Sequence, residues 1–160
     1  MKNFKTEIKW AVIFSVFTLL WMYAEKMLGL HDIYIEKHAL YTNLIAIPYV
    51  IIFYLAIKEK RDYFFKKNMN WKQGVISGGI LSVIIALISP AVQYLTAEVI
   101  TPEYFSNAIE YAVEHKKMNP KTAESFFNLR FYMIQAVFGS LTMGIVTAAI
   151  VSLFLRTKKA

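Results

Sequence analysis

Four apolar blocks, each long enough to cross the hydrocarbon of a bilayer, constrain this chain more than any other feature. They span residues 10–23 (extendable past Glu25 to Leu30), 39–57, 73–95 and 131–155. A helix rises about 1.5 Å per residue and the hydrocarbon layer is about 30 Å thick, so each block fits one crossing. A core helix of a soluble bundle would keep a polar stripe, and these blocks have none. With 57% apolar and 18% charged residues, the chain also lies outside ordinary soluble composition. The expected fold is an all-α integral membrane protein. It is read as a single domain over 1–160, with membrane helices at about 10–30, 39–57, 73–95 and 131–155 and an external helical hairpin at 101–130. The basic start MKNFKTEIK resembles the opening of a secretory signal, but no small-x-small cleavage site follows, so the first helix is expected to be retained. Cysteine is absent, which removes disulfides and thiol chemistry.

The charges orient these helices. Lys2, Lys5 and Lys9, then Lys58, Lys60, Arg61, Lys66, Lys67 and Lys72, then Arg156, Lys158 and Lys159 fall on one side, with only Glu7, Glu59 and Asp62 against them. The other side carries six cations and eight acids. By the positive-inside rule both termini and the middle loop are cytoplasmic, giving four helices, N-in and C-in. The excess positive charge is therefore expected to meet anionic lipid headgroups, not nucleic acid. Lys58, Lys60, Arg61, Lys66, Lys67 and Lys72 form the expected lipid-surface loop.

Small residues recur every fourth position in the last two helices. Gly74, Gly78, Ser82, Ala86 and Pro90 line one face of the third, and Ser140, Gly144, Ala148 and Ser152 one face of the fourth. Small side chains let two backbones approach closely where lipid gives little hydrophobic incentive to associate. A tight hairpin of helices three and four is expected, with oligomerisation through one stripe as the alternative. Pro48 leaves the Leu44 carbonyl without its helical partner and is expected to kink the second helix.

Between these helices, Thr101-Pro102-Glu103 reads as an N-cap, a first-position proline and a first-turn acid. The helix that follows is amphipathic, with Phe105, Ala108, Ile109, Ala112 and Val113 on one face and Glu103, Asn107, Glu110 and Glu114 on the other. A second helix begins at Asn119-Pro120 and, with no breaker before Gly139, is expected to run straight into the fourth membrane helix.

Polar groups within the blocks are distributed unevenly. Glu25 lies about 24 Å along from Lys9, Asn43 about 22 Å from Lys58, and Gln93 and Gln135 about 31 Å from Lys72 and Arg156. Each helix thus carries an amide or carboxylate near its outer end. The cytoplasmic halves hold only hydroxyls: Ser15, Tyr54, Ser77, Thr147 and Ser152. That argues against a continuous water-filled pore and permits an outward-facing polar vestibule. An ionisable group below the interface needs a partner or a cavity. For Glu25 the candidates are His31, Arg130 and Gln135, and Glu36, His38, Asn43 and Gln93 complete the candidate binding set. His31 and His38 stand seven apart, whereas paired zinc ligands on one helix stand three or four apart, so only a distorted or inter-helix metal site fits and none is expected. No phosphate loop, HExxH or other catalytic motif occurs, so no catalytic residue and no cofactor is expected.

The segments WMYAEKMLGLHDxxIEKHAxYTN, NWKQGxISG, LISPxxQY and ITPEYFxNxIEY, with the MGIVTAAIVSLF ending, resemble the domain-of-unknown-function 4199 family of small bacterial membrane proteins typical of Bacteroidetes. The resemblance covers nearly the whole chain. It implies a four-helix inner-membrane protein and brings no activity or catalytic residues with it. The expected function is a non-catalytic accessory or assembly subunit that meets a partner, a second copy or envelope lipid. The alternative is a small transporter or ligand-binding membrane protein that uses the outer polar vestibule.

Overall fold

A computed structural model describes residues 4–157, and every regular element among them is helical. Lys2, Lys158 and Lys159 of the charge pattern lie outside the described residues. The first apolar block forms α1, Lys5–Met27. The second is a 30-residue helical stretch, Ile35–Phe64, that changes pitch twice. It comprises α2 (Ile35–Thr42), a tight 3₁₀ turn at Asn43–Ile45, α3 (Ala46–Glu59) and a wide π turn at Lys60–Phe64. The 3₁₀ turn falls where Pro48 cannot supply an N–H to Leu44, which is the expected local cost of that proline.

The third block forms α4, Trp71–Leu95, extended by a π turn to Ile100. Its start is a reciprocal capping box: Asn70 Oδ1 accepts from the Gln73 N–H, and Gln73 Oε1 accepts from the Asn70 N–H. Pro90 leaves the Ala86 carbonyl unpaired, and Ser89 Oγ donates to that oxygen at 2.9 Å. Two short helices follow, α5 (Tyr104–Glu114) and α6 (Pro120–Phe126), before α7, Leu129–Leu155. α5 begins after Glu103, two residues later than the Thr101 cap implied. The expected unbroken run from Asn119 into the last membrane helix is also corrected. Phe127 leaves the helix at ψ 77°, and Asn128 starts a new one by accepting from the Phe131 N–H. Asn128 acts here as a cap, and that local bond ends one helix while starting the next.

α1, the Ile35–Phe64 stretch, the Trp71–Ile100 stretch and α7 are each long and apolar enough to cross a membrane. Their outward faces agree: Leu87 and Phe154 are 77% and 79% exposed, and Ile8, Val12, Val16 and Leu20 form an exposed row along α1. Apolar surface on that scale belongs against lipid. The chain is a multi-pass membrane protein by this reading.

α4 and α7 form the closest pair. A Cβ added to Gly74 would lie 2.5 Å from Ser152 Oγ, one on Gly78 2.3 Å from Ala148 Cβ, and one on Gly144 2.2 Å from Ser82 Oγ. The two stripes therefore face each other in antiparallel register. α1 and α3 pack on this pair mainly at the end that carries the chain termini, where Ala11, Phe53, Ile57, Leu81, Ala148 and Val151 join one apolar core.

The same end is closed by charge. Lys60 is 5% exposed and donates to Glu7 Oε2 at 2.9 Å, and Ser77 Oγ donates to Glu7 Oε1 at 2.7 Å. Lys9 and Trp10 both donate to Glu59. The expected lipid-surface role is thus corrected for Lys60, because the π turn carries it inward onto a carboxylate of α1. Arg61 is half-engaged as well, bonded to Asp62 at 2.9 Å and reaching the Leu155 carbonyl at 3.4 Å. Lys58 lies over the Tyr54 ring, while Lys66, Lys67 and Lys72 are on the exposed surface of the loop or its edge.

Replacing Gly144 by Leu is expected to force α4 and α7 apart at a cost of about 3 kcal/mol. Gly79 has no heavy atom near an added Cβ, so Gly79→Ala is expected to stay within about 1 kcal/mol of wild type, on the stabilising side. Thermal unfolding of the two variants in one detergent separates the seam from a general intolerance of side chains on α4.

Candidate functional site

The end of the bundle opposite the termini is built around Glu25. This residue closes α1 one turn from its end, and Gly29 at φ 73° then turns the chain back on itself. The left-handed conformation there suits glycine. It lets the 28–34 turn bring His31 over Glu25, while α2 presents His38 from a second direction. Glu25 and His31 are each 3% exposed. Glu25 Oε2 lies 3.3 Å from His31 Nε2 and 3.4 Å from His38 Nε2. The other carboxylate oxygen, Oε1, accepts from Trp21 Nε1–H at 2.6 Å. One carboxylate therefore holds an indole with one oxygen and two imidazoles with the other.

A second layer supports the histidines. The Tyr104 hydroxyl of α5 is 3.2 Å from His38 Nδ1 and 3.3 Å from the Tyr132 hydroxyl of α7. Burial pushes the Tyr104 phenol above its ordinary pKa, so it keeps its proton and remains able to donate. Asn107 Nδ2 donates to the His31 carbonyl at 3.0 Å, which ties α5 to the 28–34 turn. His31 Nδ1 is buried with no hydrogen-bond partner. An unsatisfied buried polar atom costs about 1–3 kcal/mol, so the cluster is held together at some expense.

Below this cluster, the four long helices surround an open cavity of about 800 Å³. Its walls are mainly apolar, from residues such as Phe14, Met22, Val50, Ile85, Val92 and Met143. His31, His38, Tyr104 and Tyr132 line it at the Glu25 end, and Asn43, Gln93 and Gln135 line its sides. α5 lies against it through Phe105, Ala108 and Ala112, which is where the apolar face of that amphipathic helix is spent. Tyr49 Oη and Thr96 Oγ1 are buried without partners.

Of the residues selected from sequence, the structure brings Glu25, His31 and His38 into one cluster and puts Asn43, Gln93 and Gln135 in the cavity wall. Asn43 spends its amide locally, donating to the Ala39 carbonyl at 2.6 Å. Glu36 is exposed at the rim, shared with a shallow acidic groove between α2 and α5 that includes Asp32, Glu110, Glu114 and His115. Arg130 is exposed on α7 and is corrected as a partner of Glu25, since the two histidines occupy that position. Sequence reasoning missed Trp21, Tyr104, Asn107 and Tyr132. The available signal was that Trp21 sits one helical turn before Glu25, within reach of its carboxylate.

Removing both histidines, as His31→Ala with His38→Ala, is expected to lower stability by about 3 kcal/mol, because it strands a buried carboxylate. Adding Glu25→Gln to that pair is expected to recover part of the loss. Thermal unfolding of the double and triple variants reads the sign directly: three additive losses would mean that the carboxylate and imidazoles are not coupled.

The family described as "Protein of unknown function (DUF4199)" matches residues 9–157. No curated protein and no solved structure matches the chain.

Proposed function

Since the chain belongs to the DUF4199 family across residues 9–157, whose description assigns no activity, we propose a function from the site: a non-catalytic membrane protein that binds an amphipathic molecule. The cavity carries this reading. Its volume of about 800 Å³ lies within the range of about 300–1,000 Å³ usual for small-molecule sites. The mostly apolar wall suits an alkyl or isoprenoid chain. The histidine and tyrosine groups at one end suit a polar head. This favours the ligand-binding alternative over an accessory subunit that acts through its outer surface alone.

The charge pattern supports an orientation with both termini in the cytoplasm of a bacterial inner membrane. The termini and the 59–70 loop share one end of the bundle, joined by the Glu7–Lys60 pair and by the Thr157 N–H donating to the Met69 carbonyl. Besides the buried Lys60, eight cations of the described residues fall there, a charge excess suited to anionic headgroups. In this orientation the Glu25 cluster faces the extracytoplasmic side, and the ligand is drawn from that side or from the outer leaflet. The acidic groove between α2 and α5 is then the exposed surface on which a partner would sit.

Gly139 lines the cavity, and an added Cβ there meets no heavy atom within 4 Å. Gly139→Trp is therefore expected to fill the space without disturbing helix packing. Native mass spectrometry of the wild-type protein released from gentle detergent is expected to show a retained amphiphile, and the variant is expected to lose it, and the stabilisation that lipid gives, while remaining folded. A wild-type protein that carries no adduct and gains no stability from any single-chain lipid would overturn the proposal.

A further inference from the structure

Two imidazoles and one carboxylate converge on a single point of this fold, and the distances between them are informative. Charge-assisted hydrogen bonds between nitrogen and carboxylate oxygen run about 2.7–2.9 Å. Both histidines stand farther from Glu25 Oε2, at 3.3 and 3.4 Å, in a buried site where a strong bond would shorten. Two ligands of one ion at bond lengths of about 2.0–2.2 Å and the tetrahedral angle stand about 3.3–3.5 Å apart. The two measured edges fall in that range, and all three ligand atoms lie within 4.8 Å of one another. The third edge, between the histidines, is the one that has to close.

We infer that Glu25, His31 and His38 form a binding site for a divalent transition-metal ion of zinc type, with one coordination position turned toward the cavity. Two imidazoles and a carboxylate are the donor set that suits zinc and its neighbours and not calcium or magnesium. The surroundings fit ligation as well. Trp21 holds Glu25 Oε1, leaving Oε2 facing the histidines. With Nε2 of His38 on the ion, its Nδ1–H donates to Tyr104 Oη, whose own proton turns toward Tyr132. A divalent ion on this donor set leaves a net positive charge that water, hydroxide or an anionic head in the cavity can satisfy. His31 and His38 line the cavity while Glu25 stands behind them, so the open position faces inward.

The full chain in detergent, stripped with a chelator and supplied with zinc or cobalt(II) alone, tests the inference independently of any amphiphile. The expected result is about one ion per chain by elemental analysis, with the intense visible bands of four-coordinate cobalt. Glu25→Gln and His38→Ala are each expected to abolish stoichiometric binding. Tyr104→Phe, which removes only the outer partner of His38, is expected to weaken it by about 10-fold or more. His115→Ala with Glu114→Gln, in the separate acidic groove, is expected to leave it unchanged. Wild-type protein that takes up no ion overturns the inference whatever the variants do. So does an ion lost with His115 and Glu114 but kept in the Glu25 or His38 variants. Should His38→Ala fail to fold, His38→Gln provides the same reading. Failure here leaves the amphiphile proposal standing, because that proposal is read by a retained molecule and by Gly139→Trp.

Discussion

The close approach of α4 and α7 is the constraint on which the other helices depend. In lipid, side chains gain little from leaving one apolar environment for another, so helices associate through contact area and hydrogen bonds. Gly74, Gly78 and Gly144 supply contact by bringing backbones together, each opposite a small residue of the other helix. No larger side chain fits, and the antiparallel register is fixed by that shape. α1 and α3 then have a rigid two-helix surface to lean on. They close against it at the end bearing the termini, around Phe53, Ile57 and Leu81. Farther along, polar and bulky groups replace the small ones, and the four helices surround space.

Two buried carboxylates mark the two ends, and they are treated differently. Glu7 meets Lys60 and Ser77, so both its oxygens are satisfied and its charge is matched by a full cation. That arrangement locks α1 to α4 and to the π turn that follows α3. Glu25 meets an indole and two imidazoles. Imidazoles can be neutral, can donate or accept, and can ligate an ion, so this end keeps chemical options that a lysine would remove. It is also the end that opens into the cavity. Rigid closure at one end and an adaptable polar cluster at the other suit the amphiphile-binding role proposed here.

The amphipathic α5 joins these features. Its apolar face had no soluble core to enter. Phe105, Ala108 and Ala112 cover the Glu25 end of the cavity, while Tyr104 and Asn107 bond to the two histidine-bearing segments. α5 is thereby both a cover and a support for the Glu25 cluster. The break at Phe127 and Asn128 separates this cap from α7, so the cap is not a rigid continuation of a membrane helix.

Much of the architecture was legible from residue order because membrane thickness and helix rise are fixed lengths. Four apolar blocks, the small-residue stripes and the charge asymmetry follow from them directly. The boundaries moved where a local bond decided the matter, as with the capping amide of Asn128 and the π turn that buries Lys60. Glu25 stood out from sequence because a carboxylate below the interface demands a partner. His31 was one of the partners named for it and is the one found, but the addition of His38 was beyond residue order: the two histidines are seven apart, and periodicity does not bring both onto Glu25. Only the turn at Gly29 and the start of α2 at Ile35 bring two separate segments onto one carboxylate oxygen, with α5 bonded behind them. The sequence by itself determined the four long helices and the seam, because these depend on local spacing. The tertiary structure alone decided the cavity and its histidine cluster, because convergence of side chains from different segments depends on how the helices cross.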